Sequence, residues 1–369
     1  SDKLSEAASN RSANPILLPG MAMDIDLSRN WFDRFAWALP IRDPESELDL
    51  DTFRSQLIEQ GMINEAESAT LTIVDRSFSG ALRNTPFAAA ALPVLTDFKA
   101  PVVVHIDLSY FEPLYKNEIS TPLLKIITNT LSVLKEKDLD VLAVTFSYGH
   151  LDNHIALDVR FIGHILTYLI EQPERFAEKV PQNWSRQADA LYLANFFQKE
   201  KIRELYQAQE EEDPQAAWVK FNLYHSAAEF KDGSLALQKL GEAVALDNMY
   251  GLEYQQLSQL AFDRNRPDEA MRMLQLAAES FPDDPFIRLE MAQLAVEMED
   301  YTTALHLVRQ LQTLPWSPVY YPQMPDYLDG FATYLSQELA EPAEDQERSD
   351  RTPEQQRVLH PDGPGANAK

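Results

Sequence analysis

Between residues 214 and 315, small and large apolar positions return on a 34-residue step. Ala236, Ala270 and Ala304 share one column, and each is followed by a larger apolar residue, Leu237, Met271 and Leu305. Ala227, Ala261 and Ala295 form a second column, Leu223, Leu257 and Met291 a third, and Ala243, Ala277 and Leu311 a fourth. This register predicts three tandem helical hairpins, in which small side chains let paired helices approach and larger ones fill the groove between them. One hairpin cannot bury its own apolar face, so the array needs stacking and capping elements. Helical spacing supplies both caps. Residues 187–208, with Leu191, Leu193, Phe196, Phe197, Ile202 and Leu205, predict helix leading into the array, and residues 325–340, with Tyr327, Phe331, Leu335 and Leu339, predict a closing helix. The run Glu210, Glu211, Glu212, Asp213 before Pro214 reads as a solvated boundary.

Upstream the pattern changes. Between residues 22 and 171, strand-like and helix-like segments alternate, the mark of βαβ units and a largely parallel sheet. The expected strands are Met23 to Leu27, Ala69 to Val74, Pro101 to Leu108 and Val141 to Phe146. Helices are expected from a cap at Asp51, from Thr85 and Pro86, from Thr121 and Pro122, and from near Asp152. The third carries Leu123, Leu124, Ile127, Leu131 and Leu134 on one side, and the fourth buries Ile155, Val159, Ile162, Leu166 and Leu169. The segment NWFDRFAW reads as helix with Trp31 and Phe35 on one packing face. The expected fold class is α/β plus all-α. An extension over 1–21 precedes a mostly parallel α/β domain over 22–180, and an α-solenoid over 187–340 follows. Residues 341–369, rich in Pro, Glu, Gln and Gly, cannot bury enough surface to offset their ordering entropy and are expected to be a disordered acidic tail.

Composition narrows the partners. A formal net charge of −26 repels phosphate backbones and anionic lipid, which argues against nucleic acid. No apolar run reaches the roughly 18 residues of a membrane span. The absence of cysteine removes disulfides, thiolate nucleophiles and cysteine zinc sites, so any metal would rest on carboxylates and imidazoles. In so long a chain it also tilts the expected compartment toward extracytoplasmic (periplasmic) over cytoplasmic. A start at Ser1 fits a processed exported protein and equally a chain shortened at its N-terminus.

The 34-residue period with small residues at fixed places resembles the tetratricopeptide repeat (TPR), and Pro282 and Pro315 fall where that family ends its second helix. Tyr224 and Ser258 depart from the glycine or alanine the family prefers on its first helix, while Ala292 matches. The resemblance implies a protein partner, self-association into a homo-oligomer included. Asn222, Tyr254, Gln255 and Arg288 sit at or near inward positions of first helices and are the candidate partner-binding residues.

In an open α/β sheet, ligands bind beyond the carboxyl ends of the strands. Polar residues gather there: Asp24 and Asp26, Asp75 and Arg76, His105, Asp107 and Ser109, then Ser147, Tyr148, His150 and Asp152. The stretch VVVHIDLSYFEP, Val102 to Pro113, resembles the arginase and ureohydrolase strand that delivers an Asp-x-Asp pair to two manganese ions. That resemblance implies a metal-dependent hydrolase, with Asp107, Asp24, Asp26 and His105 as metal candidates and manganese or zinc as cofactor. Ser109 stands at the second carboxylate position, and no Gly-Gly-Asp-His or Asp-Ala-His-x-Asp segment appears upstream. The expectation is therefore a degenerate copy.

The tetrapeptide IDLS, at Ile25 to Ser28 and Ile106 to Ser109, fits a two-strand carboxylate site or two caps. His150 and His154, near Asp152 and Asp158, lack the glutamate of a zinc-protease helix, and His164 reads as an interior or boundary residue. Ser79-Gly80 lacks the earlier glycine of a nucleophile elbow, and none of the 11 glycines builds a phosphate cradle. The leading reading is a non-catalytic scaffold without cofactor that binds a partner protein. The alternatives are the hydrolase and a ligand- or peptide-binding receptor.

Overall fold

The computed structural model describes residues 31–59, 63–82, 85–95, 98, 100–115, 121–147, 157, 160–177, 181–317 and 321–340. The expected strand Met23 to Leu27, the extension 1–21 and the tail 341–369 lie outside the described residues. The chain forms two compact units, one holding the described residues 31–250 and the other residues 251–340.

The first unit opens with a four-stranded sheet of β1 (Phe35–Leu39), β2 (Thr72–Val74), β3 (Ser77–Leu82) and β4 (Thr85–Ala91), in the order β1-β4-β3-β2. Only β1 and β4 run parallel; β3 is antiparallel to both β4 and β2. Two segments expected as helix are thus strands. In FAWAL, large and small residues alternate with the period of a strand. Phe35, Trp37 and Leu39 pack with Phe87, Phe78 and the helix α1 (Leu50–Glu59) on one face. Ala36, Ala38, Ala88 and Ala90 pack with Val133 and Leu134 of α2 (Leu123–Glu136) on the other. The alanines of β4 favour helix intrinsically, yet here their small size lets α2 approach a strand paired on both sides, and packing overrides propensity.

The β2–β3 hairpin turns through Asp75 and Arg76, both with positive φ (48° and 61°), as a two-residue type I′ turn requires. Asp-Arg in place of the usual Asn-Gly hides that hairpin from a sequence reading. The cap of α1 is Asp49 rather than Asp51: its carboxylate accepts from the backbone N–H of Asp51 and Thr52 and from the Thr52 hydroxyl at 2.6 Å. A second, two-stranded parallel sheet joins β5 (Val102–Asp107) to β6 (Val141–Ser147), both where the alternation places them.

Helix α3 (Arg160–Glu171) buries Phe161, Ile162, Ile165, Leu166 and Leu169. Its aromatic partners belong to the helical array. Tyr168 meets Trp184 edge-on at 5.1 Å, and Phe161 lies 6.0 Å from Trp218. The boundary between compact units accordingly falls at residue 250, inside the array, and not at the expected 180–187. Ile155, Val159 and Asp152, expected on the same helix, lie outside the described residues.

Four hairpins follow. They are α4 (Gln182–Ala194) with α5 (Lys199–Glu212), α6 (Ala217–Glu229) with α7 (Gly233–Leu246), α8 (Glu253–Asp263) with α9 (Pro267–Ser280), and α10 (Pro285–Glu297) with α11 (Tyr301–Gln312). Their turns repeat at 34 residues down to the hydrogen bond. Gln198, Asp232, Arg266 and Asp300 donate their N–H to the carbonyls of Leu193, Ala227, Ala261 and Ala295. The residue before each donor, Phe197, Lys231, Asn265 and Glu299, is left-handed. The segment expected as one leading helix is therefore a first hairpin in full register with the other three. In the second unit, α10, α11 and the closing helix α12 (Met324–Ala340) share a core around Ala292, Ala295, Ala304, Val308, Leu328 and Phe331.

Candidate functional site

The first helices of the hairpins, α4, α6, α8 and α10, carry the candidate partner-binding residues, and the two units treat that face differently. In the first unit it holds α3. Trp184 on α4 and Trp218 on α6 stand one 34-residue period apart, and each receives an aromatic ring of α3. Arg160 at the start of α3 pairs with Asp247 just past α7 and lies 5.5 Å over the ring of Tyr250. The chain's own helix α3 thus packs aromatic rings against both first helices of this unit.

Beneath it the polar groups are tied inward. Asn222 donates its amide to Gln187 at 2.7 Å, both side chains being buried, so this candidate holds two hairpins together instead of facing outward. Gln209 donates to the carbonyl of Asn183 at 2.8 Å. Glu210 on α5 bridges Lys220 on α6 (2.5 Å) and Lys239 on α7 (2.6 Å), and Glu242 closes the network at 3.0 Å from Lys239. Partial burial pushes the Glu210 carboxyl up, but the hydrogen bonds from the two ammonium groups outweigh it and leave Glu210 below its ordinary value.

In the second unit Phe286, two periods on from Trp218, packs with Trp316 and Tyr321 at 5.9 and 5.6 Å, and beside it lies an open polar face. Gln255 on α8 reaches both carboxylate oxygens of Glu290 on α10 at 3.5 and 3.4 Å. Gln293 on α10 donates to the hydroxyl of Tyr327 on α12 at 3.3 Å, and Gln259 donates to Asp263 at 2.8 Å. The bonds of Gln255 and Gln293 are long and weak, so their amides and the Glu290 carboxylate can exchange partners. Tyr254 is buried, and burial followed by the nearby Glu279 pushes its hydroxyl up. Arg288 donates to the carbonyl of Pro282, beside Asp284, which caps α10 by accepting from Phe286 N–H at 2.8 Å. Of the four sequence candidates, Gln255 and Arg288 are partly exposed, whereas Tyr254 and Asn222 are buried. Gln259, Glu290, Gln293 and Tyr327 were missed. Their signal was the near-34 spacing of 255 to 290 and of 293 to 327.

The strand-end candidates do not assemble a metal site among the described residues. One Asp107 oxygen accepts from the Ser109 N–H at 2.9 Å and so caps the turn after β5. His105 places Nδ1 2.9 Å from the Thr145 hydroxyl and Nε2 3.1 Å from that of Ser147, so both ring nitrogens have partners. Asp24, Asp26, Tyr148, His150, Asp152, His154 and Asp158 lie outside the described residues. Among those described, no group of three His, Asp or Glu side chains converges as manganese or zinc would require. No helix among them is long and apolar enough to cross a membrane.

Comparison with known sequences bears on the open face. The family model for the tetratricopeptide repeat matches residues 252–294, from the start of α8 into α10. No curated protein matches the chain at a significant level. Among solved structures, a chain of the crystal structure of the APC/C hetero-tetramer Cut9-Hcn1 is similar at 14% identity and a TM-score of 0.27. The match covers 63% of this chain and 39% of that one. The arginase-like resemblance finds no counterpart in these comparisons.

Proposed function

We propose that the protein is a non-catalytic assembly factor that binds a partner polypeptide on the first-helix face of α8, α10 and α12. The observation that carries this reading is the polar patch of the second unit. On α4 and α6 the rings of Trp184 and Trp218 meet α3, whereas α8 and α10 gather Gln255, Gln259, Glu290 and Gln293 beside Phe286, with no helix upon these four among the described residues. A stacked array with an open face of exchangeable hydrogen-bonding groups suits an extended or helical segment. Residues 251–340 hold 14 acidic residues against five arginines and no lysine, so the partner segment is expected to be basic or neutral.

The test is affinity purification of the full chain carrying Gln255→Ala, Gln259→Ala and Glu290→Lys together. Loss of the specific co-purifying protein, with helical content unchanged, supports the reading. Retention of every partner refutes it. The metal-dependent hydrolase has for support only the placing of Asp107 and His105 at the end of β5. The extracytoplasmic compartment rests only on cysteine content.

A further inference from the structure

We infer that the outer face of the first hairpin, α4 with α5, binds the same face of a second copy of this chain. This surface is separate from the partner-binding face above and stands whether or not that reading holds.

The end hairpin of a helical array normally turns a polar side to water. This one does not. A groove of about 450 Å³ runs between α4 and α5, lined by Asp189, Tyr192, Leu193, Lys201, Glu204 and Leu205. At its rim the ring of Tyr192 lies 5.1 Å from that of Phe196, and these residues are 44% and 45% exposed. Phe197 is 82% exposed and held at φ 55°, a conformation that a bulky side chain adopts only at a cost of about 1 kcal/mol. One, two and three periods on, the same turn position carries Lys231, Asn265 and Glu299, as a water-facing turn should. In the Tyr192 column Ser226 and Leu294 are buried but Leu260 is 42% exposed, and in the Leu205 column Met273 and Leu307 are buried. What sets the first hairpin apart is the cluster of three exposed aromatic rings, Tyr192, Phe196 and Phe197, beside the groove.

Charge selects the occupant. Asp189, Glu204 and Lys201 line the groove, and none has an ion pair among the described residues, although neighbouring Lys199 and Arg186 do. Two carboxylates and one ammonium on one face are self-complementary. A two-fold axis sets residue i of one copy on residue j of the other and j on i, so Lys201 of each copy meets acids of its mate. Size agrees. At 1.5 Å per residue the 13-residue α4 is about 20 Å long, and two helices about 10 Å apart present roughly 400 Å² per copy. Side-chain relief brings the total to roughly 1,000 Å², the lower edge of specific interfaces, which predicts reversible association at micromolar concentration.

Sedimentation velocity of the full chain from 1 to 100 µM tests this. A concentration-dependent dimer is expected, with association weakened at least tenfold by Tyr192→Asp with Phe196→Asp. Both sites are exposed, and circular dichroism should show the fold intact. Lys201→Glu alone, and Asp189→Lys with Glu204→Lys, should each remain monomeric, while an equimolar mixture of the two should regain dimer. A wild-type chain that is monomeric at 100 µM overturns the proposal. So does a dimer indifferent to the aromatic changes, or a charge-swapped mixture no more associated than its components.

Discussion

Helix α3 belongs energetically to the repeat array, and the Arg160–Asp247 pair measures how firmly. Their side chains are 11% and 24% exposed, so solvent screens the pair only partly. A hydrogen bond between charged groups so placed is worth about 1.5–3 kcal/mol. Asp247 also accepts from Met249 N–H at 3.1 Å, which would partly satisfy it if Arg160 were lost, so the lower part of that range applies. Arg160→Met should cost more, about 2–4 kcal/mol, because it also strips the guanidinium from the Tyr250 ring and leaves a half-buried carboxylate. The assay is native-state hydrogen exchange at the amides of Ile165 to Leu169 in wild type, Arg160→Met, Asp247→Asn and the double variant. The double-mutant cycle should give a coupling of about 1.5–2 kcal/mol, roughly 10- to 30-fold in exchange rate. A coupling below about 0.5 kcal/mol would refute the placement of α3 on the hairpins.

Glu210→Gln should destabilise the first unit by about 1–2 kcal/mol at pH 7, because it removes the charge that two lysines share. Glu210 and Glu242 titrate below their ordinary 4.5 and Lys239 above its ordinary 10.5, after hydrogen bonds outweigh the opposing effect of burial. The acids' contribution is present above about pH 4.5 and lost as pH falls through their lowered values, and the lysine's is lost only above about pH 10.5. Urea titrations should therefore show the Glu210→Gln deficit at pH 7 and a deficit that shrinks as pH is lowered below 4.5. Gly251→Ala should lower the stability of the second unit by about 1–3 kcal/mol, since a Cβ there would sit 2.5 Å from Ser280 and 3.3 Å from the Phe281 ring. Differential scanning calorimetry would read it as a lower melting temperature. Phe197→Asn should raise the stability of the monomer by up to about 1 kcal/mol by relieving the left-handed strain, while weakening self-association in sedimentation.

Legibility in the sequence followed the redundancy of the signal. Three hairpins were visible because Ala236, Ala270 and Ala304 must be small for helices to close, and the requirement repeats. The first hairpin shares the turn hydrogen bond but carries Ile202 and Leu193 where the others place alanine, and Gln209 where two of the three do, so a column search passes over it. Strands β5 and β6 are rich in β-branched residues and were placed to within a residue or two. Strands β1 and β4 were misread because alanine and interrupted aromatics satisfy helical spacing as well as strand spacing, and only the two helices packed on opposite faces decide between them. Asp107 and His105 looked like metal ligands because strand ends collect polar residues. In the structure the first caps a turn, and the second bonds two hydroxyls of the neighbouring strand. The open face was only half legible. Gln255 was marked by position, but Glu290 and Gln293 gain meaning only when successive first helices lie side by side.

The most direct test of the partner-binding account is site-specific photocrosslinking. A photoreactive phenylalanine analogue is placed in the full chain at Gln259 or Gln293 on first helices, and at exposed Arg272 on α9 as the control. The account predicts one shared crosslinked partner from Gln259 and Gln293 and none from Arg272. A partner captured from Arg272 and not from the first-helix positions would contradict it.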